Sequence, residues 1–114
     1  MRPNQEVETF PDGIVEIYAE DGRAIGKTPK ARFHFENQSV GVRRYYEAQA
    51  SVTTNRIDRV IKVPHTGIAE ALNIAIISSE GDKQYRILRI QHKPERNVDL
   101  WELQSVKVKV RNDG

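Results

Sequence analysis

Short segments in which every second residue is apolar, each cut off by Gly, Pro, Asn or Asp, set the strongest limit on what this chain can fold into. Val15, Ile17 and Ala19 alternate with Glu16, Tyr18 and Glu20, and Ala31, Phe33 and Phe35 with Arg32, His34 and Glu36. A period of two puts alternate side chains on one face of an extended chain, so both segments read as half-buried strands. Arg56 to Val63 has strand character and is stopped by Pro64. The apolar run Ile74-Ala75-Ile76-Ile77 is short enough to be a buried strand. Across the turn Glu80 to Lys83 it faces Gln84 to Lys93, where Tyr85 and Ile87 alternate with Arg86 and Leu88, and this pair is the clearest hairpin in the chain. Leu100 to Val110 closes the pattern with Val106, Val108 and Val110.

The segments between are of other kinds. Residues 1–13 read as a flexible arm ending in Pro11-Asp12-Gly13, and 14–114 as one domain. Arg23 to Lys30 reads as a loop, as does Pro94 to Asp99. Val42, Tyr45, Tyr46 and Gln49 fall at helical spacing behind Ser39, so a short helix or ordered loop is placed within Asn37 to Ser51, and Ile68 to Leu72 allows one helical turn. The expected fold is mainly β: a small antiparallel barrel or sandwich of about six strands with one short helix and long loops.

With 114 residues there is room for one core. The apolar share is 38% against 30% charged, so that core is thin and the surface polar. Without cysteine there is no disulfide, thiolate catalysis or sulfur-ligated zinc. No run approaches the roughly 20 apolar residues that span a bilayer, and Met1 to Phe10 has no signal-like apolar core, so folding in the cytoplasm is expected. The net charge of +2 hides an asymmetry. Residues 1–38 carry seven of the sixteen acids, whereas Ser39 to Pro64 carries Arg43, Arg44, Arg56, Arg59 and Lys62 against Glu47 and Asp58. Such opposed portions suit head-to-tail pairing between copies, or a face turned toward phosphate.

Catalytic parts are missing. His34, His65 and His92 stand apart with no ligand at metal-like spacing, so no metal site and no cofactor is expected. Gly22 and Gly26 precede no Lys-Ser/Thr helix start, and Ser39, Ser51, Ser78, Ser79 and Ser105 lack a nucleophile elbow. Glu20-Asp21 beside Gly22 reads as a solvated turn, not an acid–base pair. No enzyme is expected. Arg43-Arg44-Tyr45-Tyr46 with Arg56, Arg59, Arg86 and Arg89 could form a basic groove with stacking rings for single-stranded nucleic acid. Near-balanced charge and 7% aromatic content favour instead a tyrosine that anchors the helix and arginines that pair with a neighbour's acids.

Three stretches, taken together, carry a resemblance. They are Val40-Gly41-Val42-Arg43-Arg44-Tyr45-Tyr46-Glu47-Ala48-Gln49-Ala50, then Arg56-Ile57-Asp58-Arg59-Val60-Ile61-Lys62-Val63-Pro64, then Gln84-Tyr85-Arg86-Ile87-Leu88-Arg89-Ile90-Gln91. In order and spacing they resemble the head-tail adaptor (head-completion, stopper) proteins of tailed bacteriophages and prophages, over about residues 14–110. The resemblance implies a β-barrel subunit of the virion neck, assembled in the bacterial cytoplasm. Its copies would form a homo-oligomeric ring, with the portal or a portal adaptor above and the tail or a tail terminator below. Packaged double-stranded DNA would pass through the ring, and no membrane is involved. The loop between the second and third strands, here roughly Gln38 to Asn55, would face the channel with Arg43, Arg44, Tyr45, Tyr46 and Gln49. Ring closure needs two different patches on each copy, for which Glu16 and Glu20 against Arg56, Arg59 and Lys62 are the candidates. The alternatives are a single-strand binder and a tail-terminator or tail-completion subunit.

Overall fold

The computed structural model describes residues 8–39 and 56–111. Eight strands follow one another: β1 (Gly13–Asp21), β2 (Ala24–Ile25), β3 (Ala31–Gln38), β4 (Arg59–Pro64), β5 (Asn73–Ile77), β6 (Lys83–Lys93), β7 (Val98–Val106) and β8 (Lys109–Val110). The one helical element among the described residues is a 3-10 turn at Ser78–Glu80, and none is long and apolar enough to cross a membrane. The helix expected within Asn37 to Ser51 falls, past Ser39, outside the described residues.

Six strands close on themselves. Going round, β1 pairs with β3, β3 with β4, β4 with β7, β7 with β6, β6 with β5, and β5 with β1, every pairing antiparallel. Between the barrel and the sandwich that the pattern allows, the chain adopts the barrel. A barrel this narrow leaves space only for side chains. Val15, Ile17, Phe35, Ile61, Val63, Ala75, Ile77, Tyr85, Ile87, Trp101 and Leu103 fill it. Phe33 meets Trp101 edge-to-face, with ring centres 6.0 Å apart.

Strands β4 and β5, with residues 98–103 of β7, are buried on both faces, and their sequences show why they do not alternate. In β5 the inward Ala75 and Ile77 join the main core, while Ile74 and Ile76 point outward beneath Ile25, Tyr18, Val106 and Val108. Of this cover, the fully buried Ile25 comes from β2, antiparallel to β1 and parallel to β8. Arg23 to Lys30 is therefore not all loop. Gly22 and Arg23 both take positive φ (62° and 65°) and make the tight hairpin that returns Ala24 and Ile25 to β1. In β4 the outward Val60 packs on Ile57 and Leu100 in a third cluster, with Leu88 against it.

Two further expectations need correcting. Ile68 to Leu72 forms no helical turn. Leu72 has φ 61°, its carbonyl accepts the Glu20 N–H at 2.9 Å, and the Asn73 side-chain amide donates to the Ala69 carbonyl at 2.8 Å, so a looped path takes the hydrogen bonds a helix would need. The last strand begins at Val98, earlier than Leu100, and breaks at 107–108 before β8. Of the N-terminal arm, Glu8 and Asp12 are fastened to the barrel: Glu8 bonds Lys62 and Arg96, and Asp12 accepts the Asn37 N–H at 2.8 Å.

Gly13, at the start of β1, has φ 138°, and a Cβ there would lie 3.2 Å from the Phe35 ring. Gly13→Ala is expected to destabilise the fold by about 1–3 kcal/mol through backbone strain. Gly67→Ala, which meets nothing within 4 Å, should change it little, and the urea midpoints of the two variants check the contrast.

Candidate functional site at the two barrel mouths

Both ends of the apolar column are closed by polar clusters that the strand registers bring together. At the first end Arg59, two residues before the inward Ile61, turns inward over the rings of Phe35 and Tyr85, 5.4 and 5.7 Å from their centres. Its guanidinium takes both oxygens of Glu80, the second at 2.8 Å, and donates to the Asn37 side-chain oxygen at 2.6 Å and the Tyr85 hydroxyl at 3.2 Å. The fork geometry of arginine makes a bidentate grip on a carboxylate possible. The Arg59 hydrogen bond holds the Glu80 carboxyl below its ordinary range, against the opposing effect of burial. This is also the end from which the chain leaves β3 and returns to β4, since Gln38 pairs with Val60.

At the other end stand His65, His92 and Asp99. Asp99 lies on the inward face of β7, two residues before Trp101, and its side chain is 3% exposed. His92 is its register partner on β6, and His65 follows Pro64 of β4 on the other side. The two Nδ1 atoms approach the same carboxylate oxygen, Oδ1, at 3.1 Å (His65) and 2.8 Å (His92), with ring centres 4.0 Å apart. The Thr66 N–H donates to the other oxygen, Oδ2, at 3.2 Å. Burial alone would raise the Asp99 pKa, but the hydrogen bonds from His65, His92 and Thr66 together outweigh it and lower the value. Among the described residues these three offer donor atoms within 4.8 Å of one another, close enough for one metal ion.

Two of the three histidines expected to stand apart are thus brought together on one acid, while His34 stays exposed on β3. A β-bulge explains why sequence spacing misses them. Between Ile87 and Arg89 the β6–β7 register slips by one residue. Tyr85 and Ile87 face inward before the slip, Ile90 and His92 after it, and a bulge is a known way to re-aim a side chain at a barrel rim. The signal in the sequence is the three-residue step from Ile87 to Ile90, where alternation from Tyr85 and Ile87 would put the next inward apolar residue at position 89.

The residues expected at a subunit interface are all engaged within the chain. Glu16 pairs with Arg32 at 2.8 Å, Glu20 with Arg86 through both oxygens, and Arg56 with Asp58 at 2.8 Å. Lys62, its side chain 5% exposed, bridges Glu8 and Glu36 at 2.8 Å each and sits 5.1 Å from the Phe10 ring centre. The expected channel residues Arg43, Arg44, Tyr45, Tyr46 and Gln49 lie outside the described residues.

Hydrogen bonds from Arg96, then Lys62, hold the Glu8 carboxyl at about 2, below its ordinary 4.5. The folded chain therefore binds this proton less readily than the unfolded one, so the contribution is complete above the ordinary value and is lost as pH falls toward the lowered one. Glu8→Gln is expected to cost about 1 kcal/mol at neutral pH, a difference that should shrink as acid is added. Urea titrations of both proteins at neutral pH and well below pH 4.5 read it. No protein-family model and no curated protein matches the chain.

Proposed function

We propose that this chain is a structural subunit of the tailed-phage neck, joining portal to tail as a ring of copies that extends or closes the DNA channel after packaging. The observation that supports this most is a closed barrel with a packed interior and a polar cluster at each mouth. Such a barrel has no lumen of its own, so any channel must run between copies. β3 ends at Gln38 and β4 begins at Arg59 at the same end of the barrel, so on this reading the residues between them would be the ones to reach that channel. Arginines there would hold phosphates by sequence-independent attraction.

The single-strand binder draws less support, because its bases among the described residues are already occupied. Arg56, Arg59, Arg86 and Arg89 each hold a carboxylate: Asp58, Glu80, Glu20 and Glu102. Fluorescence anisotropy of the purified chain with labelled single-stranded oligonucleotides separates the two readings. Negligible binding at physiological salt is expected of the adaptor. Micromolar or tighter affinity with a steep salt dependence would overturn it in favour of the binder.

A further inference from the structure

We propose that His65, His92 and Asp99 form a binding site for a divalent first-row transition-metal ion, with Zn²⁺ as its representative. This does not rest on the neck reading. The three donors come from neighbouring parts of the barrel wall, and their meeting is fixed by backbone register: His92 opposite Asp99, and Val63 opposite Asp99 with His65 two residues further on. Bonds of about 2.0–2.2 Å from an ion to nitrogen and oxygen at a tetrahedral angle separate the donors by roughly 3.4 Å. Here Oδ1 lies 2.8 and 3.1 Å from the two Nδ1 atoms. Those two separations need to open by a few tenths of an ångström, and all three donors already lie within 4.8 Å of one another, so rotation of two half-exposed imidazoles (48% and 41% for the side chains of His65 and His92) brings the set onto one ion.

The surroundings orient the set as a metal site requires. The Thr66 N–H occupies Oδ2 and leaves Oδ1 for the histidine side, and the His65 backbone is held by its N–H to the Asn97 carbonyl at 3.1 Å. Outer hydrogen bonds of this kind fix ligand orientation. Without an ion, both imidazoles can bond Oδ1 only if each carries its proton on Nδ1. One bound ion replaces those hydrogen bonds with three ligand bonds, and each neutral imidazole then carries its single ring proton on Nε2, exchanged through solvent. Two imidazoles with one carboxylate select a borderline transition ion over Mg²⁺ or Ca²⁺, which prefer all-oxygen cages. The exposed side of the rings leaves a coordination position for water or for a side chain of another molecule.

Isothermal titration of the chelator-treated full chain with Zn²⁺ tests the site. One ion per chain with a micromolar or tighter Kd is expected. His65→Ala and His92→Ala should each weaken binding at least about tenfold, while His34→Ala leaves it unchanged. Absence of saturable binding in that range, or equal weakening by His34→Ala, overturns the proposal. Should a variant fail to fold, melting of the unsubstituted chain decides: a rise in Tm with Zn²⁺ and not with Mg²⁺ supports the site, and no rise contradicts it.

Discussion

Trp101→Ala is expected to destabilise the barrel by about 3–5 kcal/mol and to leave much of the chain unfolded at about 37 °C. Trp101 is fully buried on β7, between Ile61 of β4 and Ile90 of β6, and its ring is met edge-on by Phe33. The substitution opens a cavity at the centre of the main apolar cluster, where a closed wall of hydrogen-bonded strands cannot collapse inward to refill it. Trp101→Phe should cost far less, about 1–2 kcal/mol. Nε1 makes no hydrogen bond to the described residues, so losing the indole N–H leaves no acceptor among them unsatisfied. Urea denaturation followed by circular dichroism gives both values. Similar costs for the two variants would mean that the indole N–H, and not its volume, is what the core needs.

Arg59→Ala should cost about 1–3 kcal/mol, because it removes one partner of a part-buried pair, 16% and 33% exposed, and leaves Glu80, Asn37 and the Tyr85 hydroxyl without their donor. Arg59→Lys should recover only part of this, since an ammonium cannot grip both oxygens of Glu80 or lie flat on Phe35 and Tyr85. The informative variant is the double change Arg59→Met with Glu80→Leu. Replacing both charges by apolar groups of similar size is often neutral, so the double variant should be more stable than Arg59→Ala alone. Thermal melts of these three variants beside the unsubstituted chain form the comparison. If Arg59→Ala cost no more than an exposed pair, about 0–1 kcal/mol, the cluster would be surface decoration and not the plug of a mouth.

The strands of the barrel are legible because a half-buried strand writes its face into the sequence. Val15 and Ile17, or Phe33 and Phe35, point where their alternation says. Closure is not legible, because period two is the same in a barrel and a sandwich and differs only in whether β1 finds both β3 and β5. Ala24–Ile25 escapes notice because a strand of two residues has no period to detect. Its worth lies in the distant Ile74 and Ile76 that Ile25 covers. The same holds for charge. Arg59 and Lys62 look like a basic patch open to a neighbour, yet their partners Glu80 and Glu8 lie 21 and 54 positions away in sequence. His65, His92 and Asp99 are hidden doubly: the strand register that joins them is not local, and the slip between Ile87 and Arg89 reverses the face of His92 from what simple alternation gives.

As a neck subunit, a filled barrel would act by joining others of its kind around a channel and seating them on a partner ring. Electron microscopy of the chain mixed with a portal from the same phage or prophage measures that directly. The expected result is an added ring of repeated copies coaxial with the portal channel. Portals unchanged at saturating concentrations, with the chain still free as a monomer, would contradict it.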